Sequence, residues 1–232
     1  MTQWLRKAQQ QAPVSLLLCM SITVVFLITA IQSGSLINNV GASSLADAWV
    51  LYVPAMLDSE WGIFRMLGTA FLHIGPVHLA MNLILLFLFG RELEQTLGSD
   101  TFALSFLAGT LGASAAIIWM SPMAATAGAS GAVYALMAQL VGVAVQQRRE
   151  LRGLIALIAV NAGFTIIWSE WVSVWGHFGG LGIGIVLAIV SLAIRQKGVQ
   201  LVVIFGVCVI CFVLGYGRIL ELSTEAHVLT IL

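Results

Sequence analysis

Seven long apolar runs divide this chain, at roughly 14–33, 76–93, 101–120, 128–146, 152–169, 174–194 and 199–217. A helix that crosses a bilayer needs about 20 mostly apolar residues. Runs of this length predict an all-α fold, a polytopic membrane helix bundle. Composition agrees: 60% of the 232 residues are hydrophobic and only 9% are charged, whereas a soluble domain is nearer a quarter charged. The first run is too long for a typical signal segment and no small-x-small cleavage site closes it, so it reads as a retained span. The formal net charge is zero, which gives no electrostatic case for nucleic acid. Cys208 and Cys211 read C-x-x-C but lie within an apolar helix without a zinc-type ligand set, so they predict packing and no metal or other cofactor.

Lys and Arg placement orients the spans. With the N-terminus inside, Arg6, Lys7, Arg91, Arg148, Arg149, Arg152, Arg195 and Lys197 fall on the cytoplasmic side, and only Arg65 and Arg218 fall outside. This bias predicts a plasma (inner) membrane protein with a cytoplasmic N-terminal segment, residues 1–13. The roughly 40-residue connection between the first two runs carries Trp49, Tyr52, Pro54, Trp61, Phe64 and Phe71 but few charges. Aromatic rings favour the headgroup region, so this loop is expected to fold against the outer leaflet with short helical pieces.

Polar residues within the apolar runs are candidates for function. Ser130 opens the fourth run in Gly128-Ala129-Ser130-Gly131, and His177 lies near the start of the sixth. The orientation places both at a shallow depth below the outer face. His78 and Asn82, four residues apart, share one face of the second run and lie at about the same depth. Tyr134 sits one turn below Ser130. Ser and His on neighbouring helices are the parts of a nucleophile–base pair. Two side-chain N–H donors, with the Ser130 backbone N–H, can stabilise an oxyanion. No acidic residue lies at matching depth, which predicts a dyad whose imidazole is oriented by packing. The small residues Gly128, Ala129 and Gly131 would let a substrate backbone approach.

Each feature has a plainer reading. Gly-Ala-Ser-Gly is a common small-residue packing face in membrane helices. Gly176, Gly180 and Gly184 predict close approach to another helix, and His177 can merely bridge helices. Arg65, Arg91 and Glu94 read as structural, at helix ends or in ion pairs. The joint occurrence at one depth is what these readings do not explain.

At these residues the chain resembles the rhomboid family of intramembrane serine proteases. The matching segments are Gly128-Ala129-Ser130-Gly131, then His73, His78 and Asn82 in the His-Ile-Gly-Pro-Val-His-Leu-Ala-Met-Asn stretch, then Gly176-His177 with Gly180 and Gly184. Gly90-x-x-x-Glu94-x-x-x-Gly98 resembles a further motif. Arg65 follows Phe64 where the family has tryptophan. The resemblance implies a six-helix core over residues 14–195 and an additional C-terminal helix and tail over 196–232. It implies cleavage of single-pass transmembrane proteins near the outer membrane face. It implies Ser130 as nucleophile, His177 as base, His78 and Asn82 as oxyanion donors, and Tyr134 stacked on the histidine, supported by Gly128. The alternatives are a non-catalytic rhomboid-like protein that binds membrane helices, and a small transporter.

Overall fold

The computed structural model describes residues 12–231, with side chains through Glu225. The expectation for residues 1–11, including Arg6 and Lys7 on the cytoplasmic side, falls outside that range. Seven apolar helices lie where the seven runs predict them. They are α1 (Pro13–Ser33), α5 (Gly75–Leu97), α6 (Ser99–Met120), α7 (Ser130–Gln146), α8 (Arg152–Ile167), α9 (Val174–Ala193) and α10 (Lys197–Ile231). Short helices α2 (Ser44–Trp49), α3 (Val53–Leu57) and α4 (Arg65–Gly68), with single 3-10 turns at Gly62–Phe64 and Thr69–Phe71, form the long first loop. Among the described residues, five helices are long and apolar enough to cross a membrane; α7 and α8 are shorter, at 17 and 16 residues.

α6 and α7 form the interior, and the other long helices surround them. The outward faces remain apolar: Val77, Val160 and Val202 are each at least 69% exposed. Exposed apolar surface on this scale is what lipid covers and water does not. The protein is an integral membrane protein of helical-bundle type.

Helix boundaries follow local chemistry. Pro13 opens α1 and Pro76 follows Gly75 in the first turn of α5, where a missing N–H leaves no bond unmade. α5 runs past Arg91 and Glu94 to Leu97, beyond the expected end at 93, because only Gly98 at φ 88° breaks it. Glu94 is buried, and its role differs from a helix-end ion pair. Its carboxyl oxygens accept from the Val14 and Ser15 backbone N–H groups at 2.9 and 2.8 Å. They also accept from the Ser15 and Ser99 hydroxyls at 2.7 and 2.6 Å. Glu94 thereby satisfies the orphan donors at the N-terminus of α1 and joins α1, α5 and α6. α10 continues to Ile231, so Arg218 lies within a helix, with its guanidinium over Trp119 of α6 at 5.3 Å. Cys208 and Cys211 are buried free thiols in the α10 seam against α6.

Candidate active site

Ser130 is the first residue of α7. The loop before it is anchored to the first loop. Leu51 and Thr126 exchange backbone hydrogen bonds at 3.0 and 2.9 Å. The Thr69 hydroxyl donates to the Thr126 carbonyl at 2.7 Å, and the Thr69 carbonyl accepts from Gly128 N–H at 2.9 Å. Gly128 turns the chain into α7 at φ 134°, a region L-residues rarely adopt. A Cβ there would also stand 2.8 Å from His78 Cε1. The first bond of the α7 ladder runs from Val133 N–H to the Ala129 carbonyl at 3.0 Å. The N–H groups of Ser130, Gly131 and Ala132 therefore precede the ladder, at the positive end of the helix dipole.

His177 lies in the first turn of α9, which Ser173 caps by accepting from Gly176 N–H at 3.1 Å. Its Nε2 is 2.7 Å from Ser130 Oγ. Two glycines permit this approach: a Cβ on Gly180 would overlap the Gly131 carbonyl, and one on Gly184 the Ala135 carbonyl. The expected close helix approach at Gly180 and Gly184 is thus present. Gly176 faces Ile117 and Ser173 instead. The Tyr134 ring stacks on His177 with centroids 4.5 Å apart and planes 15° apart. His177 Nδ1 lies 2.8 Å from the Thr165 hydroxyl of α8.

His78 and Asn82 come from α5. His78 Nδ1 accepts from Ile74 N–H at 3.3 Å. A neutral imidazole with an accepting Nδ1 carries its proton on Nε2, the atom that a Cβ on Gly128 would meet at 3.0 Å. Asn82 is buried and donates one amide N–H to the His78 carbonyl at 2.9 Å; its amide has a second N–H. His73, in the loop, is fully buried. Burial first, and then the neighbouring His78 ring, push its imidazole down to about 3. Its Nε2 accepts from Ala129 N–H at 3.4 Å, and its Nδ1 is 3.4 Å from the Phe71 carbonyl. A small cavity beside the serine is lined by Thr110, Ser114, Ser130, Gly176 and His177 among others.

All five predicted side chains, Ser130, His177, His78, Asn82 and Tyr134, converge with Gly128 on one end of the bundle. Four supporting residues were not anticipated. Thr69 and Thr126 join the two loops. Asn39 is fully buried and donates to Thr29 Oγ1 at 2.7 Å and the His73 carbonyl at 2.8 Å, while accepting from Gly75 N–H at 2.9 Å. Thr165 bonds His177. Asn161-x-x-x-Thr165, two polar residues one turn apart in an apolar run, was the readable signal for it. The loop residues carry no such periodic signal.

The chain is similar to several known proteins. The chain is 35% identical over 146 residues to "Rhomboid protease GluP" of Bacillus subtilis (strain 168), covering 61% of this chain and 28% of that protein. It is 29% identical over 193 residues to human "Rhomboid-related protein 3", covering 75% of this chain and 47% of the relative. It is 26% identical over 172 residues to "Rhomboid-like protease 3" of Toxoplasma gondii, covering 71% and 64%. In each case the alignment spans less than two thirds of the relative's own length. The Rhomboid domain family matches residues 60–194, over half the chain. With that match and the site geometry above, the chain belongs to the rhomboid family.

Proposed function

We propose that the protein is an intramembrane serine endopeptidase that cleaves single-pass transmembrane proteins by a Ser130–His177 dyad. The observation that carries this reading is the 2.7 Å contact between His177 Nε2 and Ser130 Oγ, which lies within the range for a nucleophile and its base. In this reading the active site opens to the outer side of the plasma membrane. The six helices α1 and α5–α9 form the catalytic core, and α10 is an additional span.

A substrate helix enters laterally between α5 and α8 and unwinds locally, since a helical peptide carbonyl is already bonded and shielded. Ser130 Oγ attacks the scissile carbonyl carbon while His177 Nε2 takes the hydroxyl proton. The carbonyl π pair moves to oxygen. That oxyanion meets the free N–H groups at the start of α7, with His78 Nε2–H and the second Asn82 N–H as side-chain donors. Collapse breaks the C–N bond, and His177 returns its proton to the leaving amine. Water, deprotonated by the same Nε2, then attacks the acyl carbon; collapse frees Ser130 Oγ, which recovers its proton from His177.

Reconstitution in liposomes with a tagged single-pass substrate tests this. Ser130→Ala is expected to abolish cleavage while retaining the thermal unfolding profile. Wild-type cleavage by Ser130→Ala would overturn the assignment.

A further inference from the structure

The dyad lacks a carboxylate, yet His177 Nδ1 has a partner. The Thr165 hydroxyl of α8 lies 2.8 Å from it. The same hydroxyl is 2.5 Å from Tyr134 Oη, and Tyr134 Oη is 2.6 Å from the Asn161 carbonyl. Thr165 is also the one fully buried residue of α8. An apolar helix that buries a single side chain would ordinarily bury a large hydrophobic one. Here the buried group is a hydroxyl aimed at an imidazole.

We infer that Thr165 is a positioning residue that holds His177 in the tautomer able to deprotonate Ser130. This rests on the dyad reading above. Proton accounting supports it. For Nε2 to accept from Ser130, the ring proton must sit on Nδ1. Nδ1–H then donates to Thr165 Oγ1, Thr165 O–H to Tyr134 Oη, and Tyr134 O–H to the Asn161 carbonyl. Three protons meet three acceptors, and the chain ends on a main-chain oxygen. A plainer account has Thr165 bonding only its own helix at the Asn161 carbonyl, 2.9 Å away, a common habit of membrane threonines. In that arrangement the Oγ1 lone pairs still face Nδ1, so the ring's proton remains specified. A hydroxyl whose own proton is engaged by Tyr134 Oη or the Asn161 carbonyl can only accept from Nδ1, as the aspartate of a triad does, without its charge. It also makes the base depend on α8, a helix that flanks the proposed substrate entrance.

The test uses the full chain in detergent micelles with a fluorophosphonate probe and 15N-histidine NMR. The His177 signals are identified by their loss in His177→Ala. The wild type is expected to show His177 protonated at Nδ1. Thr165→Val, which keeps the shape and removes the hydroxyl, is expected to lower the maximal labelling rate about tenfold or more, with the probe's half-saturating concentration little changed. It is also expected to give a mixed-tautomer spectrum. Thr165→Ser is expected to restore both. Equal impairment of Val and Ser variants, undiminished labelling in folded Thr165→Val, or a wild-type His177 protonated at Nε2 would each overturn the inference. The wild-type spectrum decides even if Thr165→Val does not fold. Labelling that persists in Ser130→Ala would instead contradict the dyad reading, and the tautomer measurement still tests Thr165 separately.

Discussion

Gly180 of α9 rests directly on the backbone of Gly131 in α7, with no room for a Cβ between them. Both residues are neighbours of the candidate dyad: Gly131 follows Ser130, and Gly180 lies about one turn after His177. The spacing of the two helices therefore sets the distance between the two side chains.

Gly180→Ala would force the helices apart or bend them. Overpacking of this kind costs about 1–3 kcal/mol, and the displacement acts on the 2.7 Å Ser130–His177 contact. The expected result is a lowered melting temperature with a loss of turnover larger than the stability loss explains. Thermal unfolding and cleavage rates on the same sample check this.

Gly128→Ala separates site geometry from global stability. The added Cβ strains a φ of 134° and pushes on the His78 ring. Removal of one oxyanion donor typically lowers the rate about 100- to 1,000-fold. The expected outcome is a fall in kcat within that range, with the helical circular dichroism unchanged.

Glu94→Gln tests the knot beneath the bundle. Each carboxyl oxygen of Glu94 accepts from two donors. An amide replaces one acceptor with a donor and sets N–H against N–H, at a cost of about 2 kcal/mol for the unmet groups. The expected outcome is a lower melting temperature with kcat nearly unchanged in the folded fraction, because the knot lies at the opposite end of α5 from His78.

The seven long helices were legible because each announces itself by a long, mostly apolar run. Ser130, His177, His78 and Asn82 were legible for the inverse reason, as polar groups where few belong. Helix ends were less so: charge at Arg91 and Glu94 suggested an exit from the membrane, but charge does not end a helix, and Gly98 does. Loop contacts were not readable at all. Asn39 meets Gly75 and Thr69 meets Thr126 across 36 and 57 residues, with no periodicity to link them. Thr165 lay between these cases. Its hydroxyl stood out in an apolar run, but its partner depends on how α8 packs against α7 and α9.

On the proposed mechanism, Ser130 is an activated nucleophile and His177 activates it. Peptide mapping by mass spectrometry after fluorophosphonate treatment tests this most directly. A covalent adduct on Ser130, lost in folded His177→Ala, is the predicted result. A folded wild-type protein that forms no adduct, or forms it on another residue, would contradict the account.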